Sequence, residues 1–428
     1  MPEFRDSAPS APAVFYRSYS RRKEDGNREN YAEAITRVIN NIADIGGFTP
    51  EQRELCLEMS HKQHTFPSGR AMWVAGTEWA TKPENFFGYY NCNNVRIDEP
   101  SRFGLLMELS MCGVGTGALL EQEIVDKLPP VVTKLNVIGY IENSGTEGGQ
   151  AYTEVFYDDE TGCVNITVGD SRQGWVDAYQ ILISLAMDDS GVYGKHGCQK
   201  PAETGFDVLL DLSQVRGPGE RLKGFGGTAN PIRLRTTLER VAALLVKAVG
   251  RKLTPLECCL LIDEASSAVV AGNIRRSAGM RQGSEHDEEF AVAKDNLYRQ
   301  DEEGKWSVDP EREPLRMANH TRVWHHRPSY EEILESVEKQ FRSGEGAIQF
   351  APEAVARGNA DLLDTPGRKQ TFLDLYCVDS KEVASGYLKG LAKLAGEPTD
   401  GKIMNHRMQR YGLNPCVTAE AWVLTGEG

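Results

Sequence analysis

Residues 413–428 read LNPCVTAEAWVLTGEG, and two kinds of sequence meet there at one cysteine. Asn414-Pro415-Cys416 stands on the N-terminal side. From Cys416 onward come a leading thiol, a short apolar strand and a Gly turn. A cysteine can serve as a nucleophile or as a redox group, so the rest of the chain has to say which chemistry is meant. Outward from this point, helical apolar periodicity alternates with short apolar strands, an order that argues for an α/β fold.

At 428 residues the chain exceeds the usual domain size of about 100–200 residues, which suits one large α/β domain with appendages. The net charge of -14, from 48 basic and 62 acidic residues, argues against a general nucleic-acid surface. Nucleotides remain compatible with it, because backbone amides and a few Arg suffice to hold them. No apolar run reaches the roughly 18–20 residues that span a bilayer. Residues 1–30 lack the apolar segment of a signal peptide, so no membrane partner and a cytoplasmic location are expected. The nine cysteines are scattered, with no Cys-x-x-Cys and no zinc spacing. His61, His64, His196, His286, His325, His326 and His406 form no recognisable ligand set, so no metal site is expected. Cys258 and Cys259 sit inside an apolar helical pattern and read as buried thiols.

Residues 1–30 are rich in Ser, Pro and Arg and read as a flexible arm. Ala34, Ile35, Val38, Ile39 and Ile42 recur at helical spacing, stopped by Gly46-Gly47. Thr49-Pro50-Glu51-Gln52 opens the next helix as a capping box. The Phe66-Pro67-Ser68-Gly69-Arg70 segment reads as a turn. Gly113-Val114-Gly115 follows a helix over residues 101–111; a lone Gly-x-Gly is weak evidence for a phosphate loop, and by itself it reads first as a plain tight turn. Strands are expected near residues 132–141, 163–168 and 206–212. Helices are expected from Asn230-Pro231 to Gly250, from Thr254-Pro255 to about Val270, and from Ser329 to Gly344. Residues 283–313 are charged and expected to be exposed.

Several blocks, in order over residues 66–416, resemble the monomeric class of adenosylcobalamin-dependent ribonucleoside-triphosphate reductases. They are Pro67-Ser68-Gly69-Arg70 with Trp73 and Gly76-Thr77, Asn91-Cys92, Gly113-Val114-Gly115, and Leu222-Lys223-Gly224-Phe225-Gly226-Gly227. The most specific is Ala271-Gly272-Asn273-Ile274-Arg275-Arg276-Ser277-Ala278, and Asn414-Pro415-Cys416 closes the set. The resemblance implies a ten-stranded α/β barrel made of two five-stranded parallel halves, of which this chain carries an N-terminal helical region and the first half. The implied division is a flexible arm at 1–30 and the helical region at 31–100. A reductase half-barrel follows at 101–415, with an effector-binding insertion at about 120–270. After Cys416 the sequence resembles the opening of an intein, giving an intein start at 416–428.

By the same resemblance, Cys416 is the cysteine that becomes a thiyl radical, or equally the first nucleophile of the intein. Asn414 hydrogen-bonds substrate, and Cys92 is one member of the redox pair, a role for which Cys112 competes. Ser68, Asn91 and Asn319 fall on the substrate side, although His320 departs from the family beside Asn319. Gly113, Gly115, Gly272, Asn273, Arg275 and Arg276 are assigned to loops that relay effector identity. The family's carboxylate two residues beyond the cysteine is replaced here by Thr418. The implied partners are a ribonucleoside triphosphate substrate, a deoxyribonucleoside triphosphate effector, thioredoxin and a complementary intein or C-terminal polypeptide. Adenosylcobalamin is the implied cofactor, bound mostly by a C-terminal half not represented here. Two rivals stay open: the large subunit of an iron-dependent reductase, and a protein-splicing precursor with no activity of its own.

Overall fold

The structure, a computed structural model, describes residue 4 and residues 7–142, 149–188, 205–220, 230–270, 278–295 and 297–415, with backbone only at 84, 269 and 270. Its chain divides into two compact units, Met1–Asn91 and Cys92–Gly428.

The first unit is helical. Helix Tyr31–Gly46 carries its apolar residues on one face, and Ala34, Ile35 and Val38 are fully buried there. Asn30 and Glu33 cap it reciprocally, and Gly47 ends it in the left-handed conformation at φ 60°. Thr49 and Gln52 do the same for helix Pro50–His61. Two expectations change here. The supposed arm contains helix Ala11–Ser18, whose Phe15 packs with Tyr31, Ile35 and Met72. Burying that one ring orders a stretch whose polar composition alone reads as loose. The supposed turn at Phe66–Arg70 is the start of helix Gly69–Val74, because the Ser68 hydroxyl accepts the Ala71 N–H at 3.1 Å.

The second unit holds the sheets. In chain order the strands are β1 (Cys92–Arg96), β2 (Gly115–Leu119), β3 (Leu135–Ile141), β4 (Glu154–Asp158), β5 (Cys163–Thr167), β6 (Phe206–Asp211), β7 (Gly279–Ser284), β8 (Tyr298–Gln300), β9 (Trp306–Val308), β10 (Ala318–Trp324) and β11 (Ala347–Phe350). Five of them form an all-parallel sheet in the order β1-β2-β7-β10-β11. A second sheet, β3-β6-β5-β4, is mixed, and β8-β9 is a separate exposed hairpin. The second sheet and helices Arg172–Met187 and Pro231–Lys247 lie between β2 and β7 in sequence, where the insertion was expected. β1, in contrast, was placed in the helical region by the 31–100 boundary and belongs to the parallel sheet.

Residues 283–313 are not uniformly exposed. Ser284 closes β7 inside the sheet, and Phe290, Ala293 and Leu297 are buried. The chain also continues past Gly344 into four helices, Ala351–Arg357, Pro366–Asp374, Lys381–Leu394 and Gly401–Met408. Their apolar residues gather around Phe372, Leu388 and Met408 against Leu119 and Val323 of the sheet.

Parallel sheets are covered on both faces. One face of this sheet meets helix Pro255–Val270 through a polar contact. Arg281, fully buried in β7, donates through Nε and Nη to Asp263 Oδ1 at 2.9 and 2.7 Å and to the Thr116 carbonyl at 2.8 Å. The fully buried Cys259 thiol lies 3.4 Å from Asp263 Oδ2 and 3.4 Å from His320 Nε2. The Phe290 ring stacks on His320 at 4.6 Å. Burial pushes the Cys259 thiol well up, and burial together with Lys294 and Arg281 pushes His320 down to about 3. Both are therefore neutral at pH 7, and burial also pushes the Asp263 carboxyl up, opposed by the adjacent Arg281 guanidinium.

Removing one partner of such a pair leaves a buried charge without its counter-ion. Arg281→Met is therefore expected to lower stability by about 3–5 kcal/mol in urea unfolding, with most of the loss recovered in the Arg281→Met/Asp263→Leu double variant. On the same helix, burial raises the Glu264 carboxyl to about 7 despite its contact with Arg240. Its contribution to stability is full below about pH 4.5 and lost as pH rises through about 7. Glu264→Gln should flatten the stability–pH curve across that window, as followed by thermal unfolding at a series of pH values.

Candidate functional site

The opposite face of the parallel sheet holds the residues that sequence singled out. Neighbouring parallel strands in register present side chains to the same side, so each row of partners can be followed across the sheet. One row runs Asn94, Gly117, Met280, Asn319, and the next runs Arg96, Leu119, Gln282, Thr321, Ala347. Cys92 and Gly115 pair one row below Asn94 and Gly117.

Residues 411–415 lie across this face, held through their backbone. Gln282 grips Leu413 at both ends, donating from Nε2 to its carbonyl at 2.8 Å and accepting its N–H at 2.7 Å. Asn94 Nδ2 donates to the same carbonyl at 3.0 Å, and Gln349 donates to the Tyr411 carbonyl. The sheet is made of glycine where the segment comes closest. A Cβ on Gly117 would sit 2.4 Å from the Leu413 carbonyl oxygen, and one on Gly115 would meet Cys92 Sγ at 2.8 Å and Pro415 Cγ at 3.4 Å. Cys92 and Pro415 thus flank the same glycine, from positions more than three hundred residues apart in the chain. Asn414 is buried, at 2% exposure.

The remaining expected residues are distributed as follows. Cys416 lies outside the described residues, as do Gly272, Asn273, Arg275 and Arg276. Asn319 is exposed on the segment-bearing face, one row above Cys92 and two strands over from Gly117. Ser68 is a helix cap and Asn91 is exposed, both in the first compact unit. Gly113 has φ 70° and ends helix Ser101–Met111, its N–H donating to the Ser110 carbonyl at 2.8 Å. Cys112, the competitor of Cys92, is fully buried at the end of that helix. The two glycines thus have local duties, a helix stop and a close approach, that need no phosphate.

Sequence reasoning passed over a network at the other end of the segment. Tyr411 donates its hydroxyl to Glu121 Oε2 at 2.6 Å. The other oxygen of Glu121 is 2.9 Å from His325 Nε2, and His325 Nδ1 is 2.9 Å from the Tyr376 hydroxyl. The tautomer that satisfies every partner has Nε2–H donating to Glu121 and Nδ1 accepting from Tyr376. Burial, with Glu121 next, pushes both phenols up, so they stay protonated donors. The network borders a cavity of about 370 Å³ lined by Glu121, Gln122, Glu123, Ser284, His325, Tyr376 and Lys381. Its position beyond the carboxyl ends of β2, β7 and β10 is where ligands bind in open parallel sheets. A single Glu following a strand carries no such signal in sequence; only the converging strand ends reveal it.

With this geometry in hand, comparison with known proteins is specific. In fold, the chain is similar to the crystal structure of a B12-dependent (class II) ribonucleotide reductase, with a TM-score of 0.62 and 19% identity over 94% of this chain and 61% of that one. Residues 137–245 match the family model described as the B12-dependent ribonucleotide reductase insertion domain. Adenosylcobalamin-dependent ribonucleoside-triphosphate reductases of Lactobacillus delbrueckii subsp. bulgaricus and Lactobacillus leichmannii are each 26% identical over 322 residues, 66% of this chain and 42% of theirs. One from Lacticaseibacillus paracasei is 26% identical over 324 residues. The chain therefore spans less than half the length of the curated relatives it matches. The family model, the curated relatives and the solved structure to which this chain is similar are all B12-dependent ribonucleotide reductases.

The close approach at Gly117 is directly testable. Gly117→Ala should lift the 411–415 segment from the sheet, speed tryptic cleavage after Arg410 and cost about 1–3 kcal/mol of stability. Unchanged proteolysis would show that the segment is not held by this contact.

Proposed function

We propose that this chain is the N-terminal portion of an adenosylcobalamin-dependent ribonucleoside-triphosphate reductase, with its five parallel strands forming the first half of a ten-stranded barrel. The observation that carries the proposal is the meeting of Cys92 and Pro415 over Gly115. A radical reductase must bring a hydrogen-abstracting thiol and a reducing thiol to one ribose, and Cys416 is the residue bonded to Pro415. In this proposal the residue bonded to Pro415 abstracts a ribose hydrogen as a thiyl radical: Cys416 in the chain as it stands, or, once an intein beginning at Cys416 has been spliced out, the first residue of the following extein, which takes its place. Cys92 supplies reducing electrons with a second cysteine, and thioredoxin re-reduces that pair. Asn414 and Asn319 hold the sugar. The effector, a deoxyribonucleoside triphosphate, would bind the insertion and act through the loop that holds Gly272, Asn273, Arg275 and Arg276, with Gly113 and Gly115 adjoining.

Adenosylcobalamin would supply the initiating radical chemistry when bound. The 370 Å³ cavity beside Glu121 and His325 is too small for a corrin with its nucleotide and adenosyl arms, so that cavity is not its site. The cofactor is accordingly assigned chiefly to protein beyond these residues, and no step is routed through it. What residues 92–415 contribute is positioning, namely a buried Asn414, a glycine floor and a backbone clamp that fixes the segment. Residues 416–428 are proposed as the start of an intein, on the sequence that follows Cys416, and Thr418 in place of the family's carboxylate agrees with an interrupted active site.

Two measurements test the proposal. The folded 428-residue chain should bind a deoxyribonucleoside triphosphate in calorimetry, and absence of binding would count against the assignment. With adenosylcobalamin, reduced thioredoxin and a ribonucleoside triphosphate, the same chain should form no deoxynucleotide above blank, and measurable turnover would overturn its role as one portion of the enzyme.

A further inference from the structure

The carboxyl ends of β7 and β10 carry a group of side chains that the reductase proposal does not use. β7 and β10 are parallel, with Ser284 beside Val323, and the pairing continues one step further as the Glu285 N–H donates to the Val323 carbonyl at 3.2 Å. The residues that follow each strand, Glu285-His286 and His325-His326, are thereby brought side by side. His325 turns to Glu121 and Tyr376. His326 turns the other way, toward Glu285 and His286.

There a single carboxylate oxygen faces two imidazole nitrogens. Glu285 Oε1 lies 3.4 Å from His286 Nε2 and 3.3 Å from His326 Nδ1. The ligand atoms of all three residues fall within 4.8 Å of one another. The two rings are parallel to within 5°, with centroids 6.2 Å apart. Separations of 3.3–3.4 Å are long for charge-assisted hydrogen bonds, which run about 2.7–2.9 Å. They equal the edge of a coordination polyhedron whose metal–nitrogen and metal–oxygen bonds are each about 2.0–2.1 Å. The remaining features also suit a metal. Glu285 is 6% exposed, which fixes its carboxylate, while His286 at 80% and His326 at 40% leave the site open to solvent. The far nitrogen of His326, Nε2, is 3.4 Å from Glu332 Oε1, the arrangement by which an outer carboxylate orients a metal-bound imidazole. Trp324 packs against the His326 ring at 5.2 Å and limits its rotation.

We infer that Glu285, His286 and His326 form a site for a divalent transition-metal ion such as Zn²⁺ or Co²⁺, with water in the remaining positions. Two imidazoles and one carboxylate suit these ions better than Mg²⁺ or Ca²⁺, which prefer all-oxygen shells. The ion would tie the end of β7 to the end of β10, beside the cavity that Ser284 and His325 line. The buried Cys259, Asp263 and His320 also lie within ligand distance of one another. There, however, Arg281 already holds the Asp263 carboxylate and burial keeps the thiol protonated, so a cation is disfavoured.

The test uses the untagged 428-residue chain, freed of metal by dialysis against a chelator and titrated with Co²⁺ at neutral pH. One Co²⁺ per chain should bind with visible ligand-field bands. His286→Ala and His326→Ala should each weaken binding by at least about tenfold, and Cys259→Ser should leave it unchanged. Circular dichroism of each variant in chelator establishes that it is folded. The inference is overturned by a folded parent chain that takes up no Co²⁺ at millimolar concentration. It is equally overturned if the two histidine variants bind like the parent, or if Cys259→Ser is the substitution that removes binding.

Discussion

The structure of residues 92–415 depends on what β7 does with two consecutive polar side chains. Arg281 and Gln282 point to opposite faces, as neighbours on a strand must. Arg281 binds the Asp263 carboxylate of the helix beneath, and Gln282 binds both backbone groups of Leu413 above. The central strand is thus tied to a helix on one side and to the 411–415 segment on the other. Both side chains are fully buried, where the cost of leaving a partner unpaired is high. That makes the sheet a fixed platform rather than a greasy layer on which the segment could slide.

The strands beside it follow from that arrangement. A backbone segment can lie against a sheet only where the side chains beneath it are absent, and Gly115 and Gly117 of β2 provide the gap. Within β7, Gly283 gives way to the Phe290 ring, to which an added Cβ would come within 2.5 Å, and Gly279 gives way to Ala318 of β10. The central strands therefore have few of the β-branched residues by which a strand is usually known. Their stability comes from neighbours on all sides and from the apolar cluster of Leu119, Val323, Tyr411 and Met408.

Two ends of the sheet have separate duties. At the amino ends, Cys92, Gly115 and Pro415 come together. At the carboxyl ends, Glu121 joins Tyr411 to His325, and Glu285 faces His286 and His326. Tyr411 is held twice, its carbonyl by Gln349 on the sheet and its hydroxyl by Glu121 at the cavity. The segment that leads to Cys416 is in this way anchored at its base by buried polar groups and at its tip by close packing.

Local signals were enough for the helices with capping boxes at Thr49, Thr254 and Ser329, for the apolar strands β3, β5 and β6, and for the inert burial of Cys258 and Cys259. All of these are set by residues within one or two turns of chain, where caps, turns and periodicity act directly. The motif blocks also single out Cys92 and Asn414, each within its own short block, Asn91-Cys92 and Asn414-Pro415-Cys416. β7 and β10 were not legible, because GMRQGS and ANHTRVW have polar and glycine residues whose fitness depends on Asp263, Leu413 and Phe290, far away in the chain. The order in residues 11–18 depended likewise on what Phe15 could pack against. Neither the Glu121–His325 network nor the Glu285, His286 and His326 group has any spacing to betray it. Each consists of single residues just past the ends of different strands, and only the parallel register of the folded sheet makes them neighbours.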